Sequence, residues 1–230
     1  MVDPGAVLVH GLWHGAWCWD GVRAALTRRG VPSLAVELPL TDLAADVRAT
    51  RDALEGFDRP TVLVGHSYGG AVITAAGHHP LVRELVYIAA FQLDEGESVS
   101  RTRPGPDLPD TRLPEAMRIT GDEVGLDPEL GPQLLYGDAD PAVAAACTAR
   151  LRPVHRAVFR GVPETIAWRT RPSTYVVCRE DEVVHPERQR AMARRATHTI
   201  EWTCGHSPAA TRPDVVADLI TDRVRAIATA

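Results

Sequence analysis

Six short apolar runs recur along the chain, at residues 6–10 (AVLVH), 33–38 (SLAVEL), 61–66 (TVLVGH), 84–90 (ELVYIAA), 173–178 (STYVVC) and 198–202 (HTIEW). Each reads as a strand buried on both faces, the pattern of a parallel sheet. Amphipathic segments separate them. Thr41 stands as a start signal before Leu43, Val47 and Leu54 at helical spacing; Pro186 opens PERQRAMARRA; and Thr211-Arg-Pro-Asp214 has the form of a capping box before Val216, Leu219, Ile220, Val224 and Ile227. Strand and helix in alternation predict an α/β fold: a mostly parallel central sheet with helices on both faces.

One stretch breaks that alternation. Residues 91–160 contain no clear strand, and seven of the eighteen prolines fall between Arg101 and Pro141. A structureless loop of that length is out of place in a compact domain, so the segment is expected to be an inserted cap or lid with some helix, for example at 141–152. Residues 1–90 and 161–230 then form the core. A disordered loop is the alternative that the polar first half of the segment leaves open.

Composition narrows the chemistry. The 230 residues fit one domain, and a net charge of −5 offers no electrostatic footprint for nucleic acid. Every one of the 25 basic residues is arginine. With no lysine, a P-loop, a kinase ATP lysine and any Schiff-base lysine, including one for pyridoxal phosphate, are excluded. Cys18, Cys147, Cys178 and Cys204 are scattered without CxxC spacing, which predicts buried free thiols rather than a zinc site or disulfides. No apolar run is long enough to span a bilayer, and the first residues lack a basic leader, so a cytoplasmic location with no membrane partner is expected.

Within this frame TVLVGHSYGG (61–70) carries the chemistry. Gly65-His66-Ser67-Tyr68-Gly69 is a G-x-S-x-G pattern with a strand before it and a helix-like AVITAAGHH after it. A turn that sharp strains the serine backbone and leaves no room for a flanking Cβ, hence the glycines. It also presents the Ser67 hydroxyl and points the unpaired N–H groups of the next helix at any oxyanion formed there.

A serine needs a base, and the base an acid to fix its tautomer. In the order serine, acid, histidine, YVVCREDEVVHP offers Asp181 just past one strand and EWTCGHSPAA offers His206 just past the next. Glu180, Glu182 and Asp94 are rival acids at this stage. Among nine histidines, His206 combines a late position with a Gly- and Pro-bounded loop. The loop HGLWHGAWCW after the first strand should supply a second oxyanion donor, the Leu12 N–H, beside that of Tyr68. His10 and His14 have i, i+4 spacing, but a loop glycine rather than a helix lies between them, so no metal site is expected there. Trp17 and Trp19 read as core or lid packing, and Trp13 as a pocket wall.

Together HGLWHGAWCW, GHSYGG, YVVCREDEVVHP and GHSP resemble the α/β-hydrolase superfamily. The first and third are most similar to its plant methylesterase and hydroxynitrile lyase branch and that branch's bacterial relatives. The resemblance covers about two thirds of the chain and implies Ser67 as nucleophile, His206 as base, Asp181 as its orienter, and Leu12 and Tyr68 amides as oxyanion donors. Two departures matter. Gly11 and Ser207 stand where the lyases carry a hydroxyl-bearing residue and a lysine, which disfavours cyanide chemistry. Trp13 stands where methylesterases usually have a small residue, so the pocket is expected to differ in shape.

The expected activity is therefore a serine hydrolase that cleaves small carboxylic esters through an acyl-enzyme, with a small-molecule ester as partner and no cofactor. A lyase, decarboxylase or cyclase on the same fold and a non-catalytic ligand receptor are the alternatives. A homodimer stays open.

Overall fold

The computed structural model describes residues 2–102 and 111–229. In chain order the elements are β1 Gly5–Val9, α1 Asp20–Arg28, β2 Ser33–Val36, α2 Leu43–Phe57, β3 Thr61–His66, α3 Gly69–Ala76, β4 Val82–Ile88, α4 Leu113–Ala116, β5 Met117–Thr120, β6 Glu123–Leu126, α5 Leu130–Tyr136, α6 Pro141–Thr148, β7 Val154–His155, β8 Ser173–Cys178, α7 Pro186–Ala193, β9 His198–Trp202, α8 Pro208–Thr211 and α9 Pro213–Ala228. Six strands form one parallel sheet in the order β2-β1-β3-β4-β8-β9.

Alternate residues of the central strands point to opposite faces, and each set is covered. Leu8, Val62, Val64 and Val86 pack under Val22 and Leu26 of α1 and Val216 and Ile220 of α9. Val7, Val9, Leu63 and Leu85 pack under Val47 and Leu54 of α2 and Ile73 of α3. Sheet edges behave differently from the expectation of strands buried on both faces: β2 and β9 have one neighbour each and are only partly buried. β4 also stops at Ile88, two residues earlier than the apolar run predicts, because Ala89 turns to φ +47°.

Two start signals are displaced. The α2 cap is Asp42, whose side chain accepts the Ala45 N–H at 2.8 Å, rather than Thr41. Thr211 closes α8 instead of capping α9, whose first turn follows Arg212 with no side-chain cap. Pro186 does open α7, with the His185 ring accepting from the Glu187 N–H. Of the thiols, Cys18, Cys178 and Cys204 are buried, whereas Cys147 on α6 is only half-buried.

Between β4 and β8 the chain builds a second sheet, which overturns the expectation of a segment without strands. β5, β6 and β7 pair antiparallel in that order, with α5 and α6 between the last two. Their spans of four, four and two residues are too short for a periodicity to register, and β5 is almost wholly exposed. The helix expected near 141–152 is α6. The proline-rich stretch at 103–110 lies outside the described residues. This inserted segment is joined to the core by main-chain hydrogen bonds from Arg152 N–H to the Trp13 carbonyl (2.9 Å) and from His155 N–H to the Leu40 carbonyl (3.0 Å). Among the described residues no helix is long and apolar enough to cross a membrane.

Candidate active site

Parallel pairing brings Val9, Gly65 and Tyr87 into one row, so β1, β3 and β4 end side by side and their loops share the carboxyl edge of the sheet. Ser67 sits there between β3 and α3 at φ +53°, the left-handed conformation expected of so sharp a turn, at a cost of about 1–3 kcal/mol. The turn is tight enough that a Cβ on Gly69 would lie 2.4 Å from the Val9 carbonyl oxygen. Ser67 is almost fully buried, and its hydroxyl has no hydrogen-bond partner among the described residues.

The structure brings His206 and Asp181 together directly. Their buried Nδ1···Oδ2 distance is 2.7 Å. Asp181 is fully engaged: Oδ1 accepts the Val183 and Val184 N–H groups at 2.7 and 2.9 Å, while Oδ2 also accepts Gln189 Nε2 at 2.8 Å. The carboxylate can accept only, so His206 carries its proton on Nδ1 and leaves Nε2 with a lone pair. The rival acids are elsewhere. Glu180 and Glu182 are exposed, and Asp94 is paired with Arg169.

No direct Ser67–His206 hydrogen bond is formed; His66, the residue before the serine, makes the link instead. Its Nε2–H donates to the His206 carbonyl at 2.8 Å, and the two rings lie 4.7 Å apart. Burial holds the His66 pKa well below the ordinary histidine value, with the nearby His206 adding to the effect, so the ring stays neutral.

The loop after β1 presses on the serine. A Cβ on Gly11 would approach Ser67 Cβ to 2.9 Å, so the hydroxyl-bearing residue of the lyases has no room in this backbone. Two histidines pin the peptide planes on either side of Leu12. His10 Nδ1–H donates to the Gly11 carbonyl (2.8 Å), the oxygen opposite the Leu12 N–H in the same trans peptide, and His14 Nδ1–H donates to the Leu12 carbonyl (2.7 Å). The remaining nitrogens accept from the Leu38 N–H (3.1 Å) and the Tyr136 hydroxyl (2.7 Å). All four ring nitrogens are thus occupied, which leaves no lone pair for a metal. Burial lowers the two pKa values to about 3 for His10 and about 4 for His14, so both stay neutral in this role. The Leu12 and Tyr68 N–H groups have no partner among the described residues.

Trp13, expected as a pocket wall, does line a cavity of about 240 Å³, but the other walls come from the inserted segment, Leu126, Pro132, Leu151 and Arg152 among them, and not from Ser67 or His206. Its indole N–H donates to the Val124 carbonyl at 2.9 Å. Trp19 is core, and Trp17 stacks between His14 and the Arg150 guanidinium.

Motif reading missed Gln189, His66 as a clamp, Tyr136 and Asp46. Asp46, buried on α2, accepts the Tyr68 hydroxyl at 2.6 Å and the Leu40 N–H at 2.8 Å, anchoring the residue that follows the serine. Burial pushes its pKa up to about 6, against those hydrogen bonds. A carboxyl raised on folding stabilises the native state as the neutral acid, fully below about pH 4, and that contribution is lost as pH rises through about 6. The Asp46→Asn variant cannot titrate, so its stability relative to the parent should rise by roughly 2 kcal/mol between about pH 4 and pH 7, read by urea unfolding at both. A pH-independent difference would mean that folding leaves this carboxyl unperturbed.

A sequence model of the alpha/beta hydrolase family matches residues 6–219. The alpha/beta hydrolase nvfD of Aspergillus novofumigatus is 30% identical over 250 residues, covering 96% of each chain. The esterase PIR7B of rice (Oryza sativa subsp. japonica) is 28% identical over 258 residues, covering 93% of each. Among solved structures, a pyrethroid hydrolase from Sphingobium faniae superposes with a TM-score of 0.81 over the full length of both chains at 24% identity.

Proposed function

The chain is a carboxylesterase-like member of the alpha/beta hydrolase family, and from that premise we propose that it cleaves small carboxylic esters through an acyl-enzyme on Ser67. The observation that carries the reading is the buried 2.7 Å contact between His206 and Asp181 beside a strained serine turn. With Nδ1–H committed to Asp181, Nε2 of His206 is the atom able to take the Ser67 proton as the hydroxyl oxygen attacks the ester carbon.

The carbonyl oxygen becomes an oxyanion, for which the Leu12 and Tyr68 N–H groups, without a partner among the described residues, are the available donors. Each such donor is worth roughly 3–4 kcal/mol at the transition state. His206, now imidazolium and paired with Asp181, returns the proton to the departing alcohol. A water then attacks the acyl-serine by the same route in reverse, His206 again acting as base, and the acid leaves. His66 supports this cycle by fixing the His206 main chain, and His10 by setting the plane that aims the Leu12 N–H. The missing lysine and the packing of Gly11 against Ser67 remove two groups that cyanide chemistry on this fold uses.

Hydrolysis in H₂¹⁸O tests the reaction type. A short-chain aryl ester turned over by the protein should yield acid with one solvent oxygen per turnover, mass-shifted against a control in ordinary water. Products free of ¹⁸O would point instead to elimination or rearrangement on the same residues.

A further inference from the structure

Tyr136 and Asp138 lie two residues apart, at and just beyond the C-terminal end of α5, yet they reach two different loops of the catalytic edge. The buried Tyr136 hydroxyl donates to His14 Nε2 at 2.7 Å, and His14 Nδ1–H in turn holds the Leu12 carbonyl at 2.7 Å. The exposed Asp138 accepts the Gly205 N–H at 2.9 Å, one residue before His206. Gly205 and Asp138 fit closely, since a Cβ at 205 would fall 2.7 Å from the Asp138 carboxylate.

The inserted segment also grips the rest of the same loop. Arg152 N–H donates to the Trp13 carbonyl at 2.9 Å, the Arg152 Nε–H to the His14 carbonyl at 3.3 Å, and the Trp13 indole to the Val124 carbonyl at 2.9 Å. Trp13 itself stands at φ +63°, a conformation that a bulky residue leaves unless its surroundings hold it there. The contacts of Tyr136, Asp138, Arg152 and Val124 all reach these loops from residues 124–152, and they add to the restraints that His10 and Leu38 supply from the core.

We propose that the inserted segment acts as a brace for the catalytic machinery, with Tyr136 as a positioning residue that holds the Leu12 carbonyl through His14, and so steadies the far side of the residue whose N–H His10 aims, while Asp138 fixes the loop bearing His206. A segment built this way does not swing open as a unit during turnover, because opening would withdraw a support from the oxyanion loop and from the loop of the base together. Rate enhancement is therefore linked to docking of α5, and substrate enters without undocking it. The inference rests on the serine-hydrolase reading above.

The test is Tyr136→Phe, which removes one hydroxyl and keeps the ring. On a short-chain aryl ester kcat should fall about tenfold to a hundredfold with KM within about threefold of the parent, since the lost alignment matters most at the transition state. Tyr136→Phe should add nothing in a His14→Ala background, because the hydroxyl acts through that ring. Asp138→Ala, at an exposed position, should lower kcat several-fold and decides the matter if Tyr136→Phe does not fold. Values of kcat within twofold of the parent for both variants, or a full additional loss from Tyr136→Phe without His14, overturn the brace. Labelling with a fluorophosphonate separates the two levels. A parent that is not labelled at Ser67 sinks the hydrolase reading, whereas a labelled parent matched in rate by Tyr136→Phe sinks only the brace.

Discussion

Replacing Ser67 by alanine is expected to lower kcat on any ester the protein turns over by about a millionfold, leaving a residue of catalysis from binding and oxyanion contacts alone. The substitution is a clean one. Ser67 Oγ has no hydrogen-bond partner among the described residues, so its removal orphans nothing. Alanine meets the same φ of +53° with the same Cβ, so the turn is no more strained than before. Thermal unfolding should therefore be unchanged within a few degrees while the rate vanishes. Initial-rate assays at high enzyme concentration, normalised by fluorophosphonate titration of the parent, measure the loss. A variant retaining more than about one per cent of the parent rate would show that His206 activates water directly and that Ser67 is no nucleophile.

The parts of this site that the sequence made legible are those whose chemistry is local. A strand feeding G-x-S-x-G into a helix places Ser67 by backbone geometry alone, and chain order places Asp181 and His206 just past the last two strands of the parallel sheet. Asp181 is preferred over Glu180 and Glu182 in the sequence, but the physical reason for that preference lies in the fold. The backbone after Asp181 closes the Val183 and Val184 N–H groups onto its carboxylate, while both neighbours face solvent. The second sheet was hidden because its strands are short and one of them is exposed, giving no apolar period to detect. His10 and His14 were visible as a pair, but their work depends on which carbonyl each ring meets. Those carbonyls are set by the loop that Gly11 allows and, for His14, by a tyrosine 122 residues away. Asp46 and Gln189 lie on helices with no motif around them, and only burial against Tyr68 and Asp181 marks them out.

The Asp181→Asn variant should lose about ten-thousandfold in kcat through the wrong tautomer rather than through lost structure. Two backbone N–H groups point at Oδ1, so the single amide oxygen of asparagine is held there and its NH₂ takes the place of Oδ2. That position faces His206 Nδ1 at 2.7 Å and the Gln189 Nε2 donor at 2.8 Å. Facing a donor, the imidazole minimises its energy by presenting a lone pair at Nδ1, which moves its proton to Nε2, the atom that must accept from Ser67. The base is thereby blocked while still in place. A parallel fall in fluorophosphonate labelling is expected, because attack on phosphorus needs the same proton transfer. The Gln189 amide, also turned against a donor, can be relieved separately. Gln189→Leu in the Asp181→Asn background removes that clash yet should restore no more than a few-fold, since the tautomer is unchanged. A loss below about tenfold for Asp181→Asn would show that His206 keeps its working tautomer without this carboxylate.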